Sequence, residues 1–294
     1  MHDNPRAVFG PEFALPSHRV VALTGHDAAA FAQAQFMNDV NLLAPGQWQW
    51  SGWLTPKGRV VALFALLKLD GETLWLVLPD ADPAGFSDAL RRFVFRSKVA
   101  IVVRDDLLVS GGFTAPSNAV GNGLAGGTAE DVELDMSGAG GSRHLRISAD
   151  AAATTDSVAV ARWALCDLQH GMPRLAPAQA DHWTPQQLSL ERLRAFSVKK
   201  GCYPGQEIVA RTHFLGKAKR ALMRLQGAGV GSLDEVMSGE PPPDHTGPVH
   251  AVGQVICAAG DEGLAVMPLQ PPAGPLFTGG EPCVQLPLMG GLER

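Results

Sequence analysis

The chain has 294 residues, 46% of them hydrophobic and 18% charged, with 24 Lys and Arg against 29 Asp and Glu. This composition is ordinary for a soluble globular protein, and the length suffices for two compact units or for one with an appendage. The longest apolar run, residues 60 to 67, is too short to span a bilayer, and the first residues lack the basic-then-apolar layout of a secretory signal. We therefore expect a cytoplasmic protein with no membrane anchor.

The first predicted element is a helix over residues 27 to 39, because apolar and small side chains recur there on one face. Three tryptophans follow, Trp48, Trp50 and Trp53, and we expect them to pack in the core. Further along, the dipeptide Asp70-Gly71 separates two apolar runs. An Asp-Gly pair in this position is a strong hairpin signal.

Asp82 and Pro83 then supply an N-cap and a first-turn proline for a helix whose apolar stripe reaches Val94. A strand is predicted over residues 99 to 103. The predicted order of elements, two strands followed by a helix and another strand, indicates an α+β fold and not a strict βαβ alternation. Residues 110 to 141 are dominated by glycine, alanine and small polar residues, so we expect loops or weak hairpins there.

Two more helices are predicted, one over residues 156 to 169 that ends before Gly171, and one that starts at Thr184-Pro185. The chain then turns to short strands separated by Gly- and Pro-rich turns, which is typical of a small β-barrel or sandwich. These predicted strands cover residues 221–225, 249–257, 264–267 and 282–286. The expected division is therefore a body of residues 1–218 and a barrel of residues 219–294.

Four cysteines lie at positions 166, 202, 257 and 283, and no two form a CxxC pair, so a zinc or cluster-binding site is not expected. Cys166, Cys257 and Cys283 have apolar neighbours and are predicted to be small buried hydrophobes. Cys202 differs because its neighbours are polar and cationic. Between Glu191 and Arg224 there are nine basic and two acidic residues, a local charge of +7, so the rest of the chain carries −12. Such a basic island attracts anions.

Cations and a helix start near Pro204 favour the thiolate form of Cys202, the form that reacts; a buried and inert cysteine is the alternative. Glu207 and Arg211 are helical i,i+4 neighbours and form either a surface ion pair or part of a site. In the second case, Gln206 or Glu207 binds a planar heterocycle. Arg211 or Arg220 would then hold an attached carboxylate, with Lys200 or Lys217 as additional cations.

Two other hypotheses remain open at this point. His213 or His182 could activate Cys202 as a Cys–His nucleophile, although nothing in the sequence fixes either ring beside the thiol. The basic island could also dock RNA. Only two aromatic residues, Tyr203 and Phe214, accompany it, and this shortage of stacking platforms counts against direct nucleic-acid binding.

Residues 200 to 220 match the motif K-G-C-Y-x-G-Q-E-x-x-x-R-x-x-x-x-G-x-x-x-R in full. On this motif the chain resembles the YgfZ-type folate-binding proteins, relatives of the aminomethyltransferase (T-protein) of the glycine cleavage system. The resemblance implies an α+β, aminomethyltransferase-like folate-binding body with a central ligand channel and a C-terminal β-barrel. It also implies tetrahydrofolate as cofactor and iron–sulfur enzymes, including those that modify tRNA, as clients whose assembly or repair the protein assists. The implied site residues are Cys202, Lys200, Tyr203, Gly205, Gln206, Glu207, Arg211 and Arg220.

Two departures from the T-protein pattern stand out. The strand that carries an acidic residue in the aminomethyltransferase aligns with residues 60 to 64, of which none is acidic. The pterin-binding glutamate of the aminomethyltransferase falls at Gln169, which we retain as a cofactor-binding candidate. Both changes argue against glycine cleavage activity. The alternative function is an active folate-dependent one-carbon transferase or demethylase that uses Cys202.

Overall fold

Two five-stranded sheets and a closed six-stranded barrel contain the strands of the described part of the chain. The computed structural model describes residues 12–128, 131–150, 154–216, 218–239, 250–270 and 274–294. Four residues that carry predictions lie outside this part of the chain. Residues 129, 130 and 249 fall in predicted stretches of structure, and residue 217 is a predicted cation of the ligand site. None of the helices in the described ranges is long and apolar enough to cross a membrane.

In chain order, the strands and α-helices are β1 (Phe13–Ala14), β2 (Arg19–Thr24), α1 (Ala28–Gln35), β3 (Gln47–Leu54), β4 (Val60–Lys68), β5 (Thr73–Leu78), α2 (Pro83–Arg91), β6 (Ala100–Val103), β7 (Leu108–Gly112), β8 (Ala125–Thr128), β9 (Asp131–Asp135), β10 (His144–Ser148), α3 (Ser157–Gln169), α4 (Gln206–Phe214), β11 (Arg220–Gln226), β12 (Glu235–Ser238), β13 (His250–Ala259), β14 (Glu262–Pro268), β15 (Leu276–Thr278) and β16 (Glu281–Leu286). One sheet has the order β3-β4-β5-β2-β6, and the other has the order β1-β7-β10-β9-β8.

The hairpin predicted at Asp70-Gly71 joins β4 to β5 and is confirmed, with Lys68 opposite Leu74 at its end. The Asp70 carboxylate accepts a hydrogen bond from the backbone N–H of Glu72 at 2.8 Å, which closes the turn. Trp48, Trp50 and Trp53 lie in β3 and are buried, as expected. The sheet with the order β3-β4-β5-β2-β6 therefore contains the hairpin and the buried tryptophans that the sequence predicts.

Local capping explains helix α2. The Asp82 carboxylate accepts from the backbone N–H groups of Ala84 and Gly85 at 3.2 and 2.9 Å, and Pro83 occupies the first turn. Such a side chain satisfies amides that have no partner inside the helix. Phe86 and Leu90 are buried against the sheet. The helix ends at Arg91, three residues before the predicted stripe does.

Two other predicted helices differ from the structure. The helix predicted over residues 27 to 39 stops at Gln35, because Phe36 takes an extended conformation with ψ of 154°. The helix predicted from Thr184-Pro185 does not form. Turns occupy that stretch instead, with one short 3-10 helix at Leu190–Leu193. Ser189 and Arg194, on either side of it, have φ of 50° and 55°, a left-handed geometry that an α-helix cannot accommodate.

Residues 110 to 141 contain one of the weak hairpins expected there, since β8 and β9 pair through a short, irregular ladder at one edge of a five-stranded sheet. Helix α3 also matches its prediction and is followed by Gly171 at φ of +72°.

The predicted C-terminal barrel is confirmed. Its strands close in the order β11-β14-β13-β12-β15-β16, and β11 pairs with both β14 and β16. Beyond β16 the chain returns to the body, where the indole N–H of Trp50 donates to the carbonyl oxygen of Leu292 at 2.7 Å. The backbone N–H of Met289 donates to the carbonyl oxygen of Gln169 at 2.8 Å. The division at residue 218 remains a prediction.

Candidate functional site

The cysteine motif begins on a loop that packs against an early turn of the chain. Gly205 precedes helix α4 with φ of +79°, a conformation that side chains other than glycine rarely adopt. A Cβ at this position would lie 2.6 Å from the carbonyl oxygen of Thr55 and 2.6 Å from the Cα of Gly58. Glycine is therefore required here both by the backbone conformation and by the close approach of the turn.

Lys200 is only 4% exposed, and it anchors the motif loop to the end of helix α1. Its ammonium group donates to the backbone carbonyl oxygens of Gln33, Phe36 and Asn38 at 2.6, 2.5 and 2.9 Å. Burial lowers the pKa of Lys200 to about 8, so the group is still charged at neutral pH. All three donors of an ammonium are used in these bonds. Direct contact with a ligand, which the motif predicts for Lys200, would replace one of them.

Two further motif residues hold the same loop in place. Tyr203 is buried, and its hydroxyl donates to the carbonyl oxygen of Ser197 at 3.1 Å. Burial raises the pKa of Tyr203 to about 12. The side-chain amide of Gln206 donates to the carbonyl oxygen of Lys200 at 3.1 Å. These bonds give Tyr203 and Gln206 a structural role, and their predicted contact with a ligand remains a prediction.

The remaining motif side chains face outward. Cys202 is an exposed free thiol, and Glu207 and Arg211 are exposed on helix α4. The ion pair considered for Glu207 and Arg211 is not among those formed by the described residues. No histidine ring lies within hydrogen-bonding distance of Cys202 in the described ranges. The Cys–His hypothesis therefore lacks the geometry that it requires.

A groove runs beside the motif, and we call it the motif groove. Its two neighbouring lobes measure ≈ 510 and ≈ 400 Å³ and share Arg194, Phe196, Val198 and His213. The first lobe is also lined by Gln186, Glu191, Thr212, Gly216, Ala218, Arg220, Ala221 and Leu269, and the second by Asn38, Asp39, Leu42, Gln49, Ser197 and Lys199. Of the site residues that the resemblance implies, all of which the structure describes, Arg220 lines the groove and the others do not. The Arg220 guanidinium also donates to the carbonyl oxygen of Val252 at 3.2 Å.

Cationic side chains and two glutamines that each have one unpartnered side-chain atom line the motif groove. Arg194, Lys199 and Arg220 are the cations, and the lining also includes His213 and the carboxylates of Asp39 and Glu191. Gln49 is 8% exposed and Gln186 is 7% exposed. Within the described part of the chain, the Gln49 Nε2 and the Gln186 Oε1 have no hydrogen-bond partner. A buried donor or acceptor without a partner is costly, and a polar ligand that bonded to these atoms would remove that cost.

Comparison with known proteins places the chain in a family. No family model matches it. It is 31% identical over 253 residues to the tRNA-modifying protein YgfZ of Vibrio vulnificus strain YJ016, with 76% of this chain and 74% of that protein covered. It is 30% identical over 260 residues to the protein of the same name from strain CMCP6, with 78% and 76% covered. The chain belongs to the YgfZ family.

Other comparisons agree with this assignment. The YgfZ-family chain is 29% identical over 211 residues to an uncharacterized protein of Haemophilus influenzae, with 71% of this chain and 70% of that protein covered. Its fold is similar to that of the glycine cleavage system aminomethyltransferase T from Bartonella henselae. The TM-score is 0.69, with 13% sequence identity and coverage of 96% of this chain and 85% of the other. The α+β, aminomethyltransferase-like fold with a small barrel is confirmed.

The interior of this YgfZ-family chain contains a charged network that sequence reasoning missed. Arg143 pairs with Asp167 at 2.8 Å, and Arg174 contacts Asp167 at 3.6 Å and Asp80 at 2.7 Å. Burial and the neighbouring arginines hold the pKa of His18 well below its usual range. These residues are far apart in the sequence, so no spacing pattern could have revealed them.

Next to this network is a small cavity with a volume of ≈ 20 Å³, enough for a water molecule and too small for a pterin. Its lining residues include His18, Trp50, Asp167 and Arg174. A neighbouring pocket of ≈ 210 Å³ shares His18 and Arg174 with it, and the central ligand channel implied by the resemblance stays a prediction. Gln169 is not among the residues that line this cavity or the motif groove, and its amide N–H donates to the Glu262 carboxylate at 3.0 Å. The described residues contain no cluster of metal-ligating side chains.

Proposed function

We propose that this YgfZ-family chain binds tetrahydrofolate in the motif groove and assists the assembly or repair of iron–sulfur enzymes, including those that modify tRNA. The observation that carries the proposal is the pair of unpartnered, buried amide atoms on Gln49 and Gln186 beside the groove cations. The similarity to the tRNA-modifying proteins YgfZ of Vibrio vulnificus supports the second half of the proposal.

The chemistry of a folate fits this groove. A pterin is a flat ring with donors and acceptors along its edge, and fixed polar groups in a largely apolar cleft recognise such rings. Gln49 offers a donor, Gln186 offers an acceptor, and Phe196 and Val198 supply apolar lining. The glutamate tail of a folate carries carboxylates, for which a guanidinium such as that of Arg220 is a suitable bidentate partner.

The exposed thiol of Cys202 is the reactive group that this function would present to a client enzyme. Its position on the outer face of the motif loop leaves it open to a large partner. The alternative, a one-carbon transferase or demethylase, needs a group that moves a proton at the reacting centre. Among the described residues no base lies within hydrogen-bonding distance of Cys202, and residues 60 to 64 contain no acid. Binding and client support are therefore the better-supported function.

Calorimetric titration with formyltetrahydrofolate tests the binding half. The wild-type chain should release or absorb heat with one saturable site, and Arg220→Gln should weaken the affinity by roughly tenfold through loss of a charge-assisted hydrogen bond. The matched control is Arg211→Gln, since Arg211 is an exposed cation of the same motif that does not line the groove. No heat with the wild type, or equal weakening in both variants, would contradict the proposal.

The client half has its own test. Cells that lack the chain should lose activity of an iron–sulfur enzyme of tRNA modification, and the wild-type chain should restore it. Arg220→Gln should restore it less well than Arg211→Gln does. Full restoration by a variant that no longer binds the folate would separate client support from folate binding and contradict their coupling.

A further inference from the structure

A second exposed surface lies away from the motif, on the segment that follows helix α2. Residues 91 to 98 have the sequence R-R-F-V-F-R-S-K, and we call this segment the arginine–phenylalanine loop. Its Phe95 side chain is 85% exposed and its Phe93 side chain 48% exposed. Phe95 is the most exposed aromatic ring in the described part of the chain, and two partly or fully exposed rings on one short cationic segment make the loop a candidate interaction site.

The loop is anchored at both ends, while Phe95 projects from its middle. At one end, the ring of Phe93 packs edge-on against Trp53, with 5.8 Å between centroids. At the other, the backbone N–H of Lys98 donates to the Asp27 carboxylate at 2.7 Å, and its carbonyl accepts from the backbone N–H of Asp27 at 3.2 Å. The Arg96 guanidinium lies over the Phe95 ring at 5.2 Å, so the two side chains form a cation–π pair, which we call the platform.

The charges on the loop concentrate around that platform. The segment has four cations and no carboxylate, in a chain of net charge −5. Arg91 is engaged by Asp88 and by the carbonyl oxygen of Ile101 at 2.7 Å. In the described part of the chain, neither Arg92 nor Arg96 has a carboxylate within ion-pair distance. Asp88 and Asp27 lie at the two ends, so the positive potential is strongest between them.

We propose that the arginine–phenylalanine loop binds an unpaired segment of RNA, with one base stacked on Phe95 and Arg96 and the adjoining phosphates held by Arg92, Arg96 and Lys98. Unpaired bases stack on aromatic rings and on guanidinium planes, and cations beside the ring hold the backbone. A lipid surface fits less well, because binding to a membrane interface needs an apolar face of several side chains and this loop exposes one complete ring. The inference does not rest on folate binding.

This proposal departs from the sequence expectation of no direct nucleic-acid contact. That expectation considered the basic island around Cys202, where aromatic residues are few. The arginine–phenylalanine loop combines both features, cations and aromatic rings, outside the island. The exposure of its two phenylalanines is visible only in the folded chain, because α2 ends at Arg91.

Fluorescence anisotropy with a labelled RNA stem–loop, and with the matching blunt duplex, tests the proposal on the full chain. The stem–loop should bind more tightly than the duplex, and Phe95→Ala should weaken its binding by about tenfold. The matched control is Phe214→Ala, which removes another exposed ring, 66% exposed, at the end of helix α4. Arg92→Gln and Arg96→Gln should each reduce the slope of log affinity against log salt by about 0.7.

Three results would overturn the proposal: equal loss of affinity in Phe95→Ala and Phe214→Ala, equal binding of duplex and stem–loop, or an unchanged salt slope in both arginine variants. Binding of anionic vesicles or of a glutamate-rich peptide, without binding of the stem–loop, would also overturn it. Thermal melting should show that Phe95→Ala is folded, since an exposed side chain contributes little to stability. If Phe95→Ala is unfolded, Phe95→Leu replaces it, since Leu keeps apolar bulk and removes the aromatic face.

Discussion

The Lys200 ammonium donates to the carbonyl oxygen of Asn38 at 2.9 Å, across 162 positions of the chain. Together with its bonds to two carbonyl oxygens at the end of α1, this contact ties the start of the cysteine motif to the first helix of the body. The motif therefore has an internal half that fixes the loop and an external half that faces solvent. Cys202 is held in position by a neighbour whose own charge is buried.

Replacing Lys200 should reveal this anchoring role. Lys200→Met leaves the carbonyl oxygens without a donor, so the free energy of unfolding should fall by roughly 2–4 kcal/mol, measured by urea denaturation. Lys199, the exposed neighbour of Lys200, gives the control. Lys199→Met should change the free energy of unfolding by less than about 0.5 kcal/mol. Unchanged stability with a loss of folate affinity would instead assign Lys200 to ligand contact.

The unpartnered donor of Gln49 gives a prediction in which stability and affinity change in opposite directions. Gln49→Leu removes a buried N–H that has no partner in the described structure, so the ligand-free protein should be as stable as the wild type or more stable. Its affinity for formyltetrahydrofolate should fall by about tenfold if that N–H binds the ring. Gln285→Leu, at an exposed barrel position, serves as the control. Unaltered affinity in Gln49→Leu would place the folate elsewhere.

The four cysteines should differ in their reactivity toward Ellman's reagent. Cys202 is exposed, whereas burial raises the pKa of Cys257 to about 11 and also raises the pKa of Cys166 and of Cys283. Because the thiolate is the reacting form, one fast thiol is expected in the native protein. Cys202→Ser should abolish this fast phase and lower the support of iron–sulfur enzymes, while folate still binds. Full client support by the serine variant would show that the thiol has no chemical role.

The pair formed by His144 and Glu12 at 3.7 Å should make stability depend on pH. Burial opposes the charge on His144, but Glu12 and the Thr114 carbonyl outweigh it and raise the pKa of His144 above 6.5. The His144 ring in turn lowers the pKa of Glu12 below 4.5, against the opposing effect of burial. The contribution of His144 to the free energy of unfolding is fully present below pH 6.5 and is lost as the pH rises through the raised pKa of His144. The contribution of Glu12 is fully present above pH 4.5 and is lost as the pH falls through the lowered pKa of Glu12.

The stabilisation from this pair should therefore be greatest between about pH 4.5 and 6.5. Glu12→Gln should lose more unfolding free energy, relative to the wild type, at about pH 5.5 than at about pH 8.5. Urea unfolding at both pH values measures the difference, with Glu235→Gln, at an exposed position, as the control. A deficit that does not vary with pH would show that the pair does not titrate as described.

The sequence predicts the local structure correctly at turns and caps that depend on neighbouring residues in the chain. The turn at Asp70 and the cap at Asp82 depend on side-chain oxygens that bond to amides two or three residues away, and both were predicted correctly. The stretch after Thr184 has similar local signals and yet forms turns. There Ser189 and Arg194 adopt left-handed conformations, and the Ser189 hydroxyl accepts from the backbone N–H of Leu222 at 3.0 Å. A contact from the barrel, 33 positions later, therefore competes with the local preference.

The sequence indicated less about the candidate site than about the local structure. Cys202 is exposed and Arg220 lines the motif groove, while their role as site residues stays a prediction. Charge alone did not reveal that Lys200 is buried, because burial results from packing against α1. Gln49 and Gln186 gave no signal at all, since a glutamine on a strand or in a turn is ordinary until its unpaired atoms are seen.

The return of residues 287 to 294 to the body has a mechanical consequence. The chain enters the barrel directly after α4 and leaves it into contacts with Trp50 and Gln169, so the barrel is tethered through both of its ends. The connection before β11 and the contacts after β16 both restrain rotation of the barrel against the body. Barrel and body should accordingly melt together in one calorimetric transition, and tryptophan fluorescence should change in that same transition.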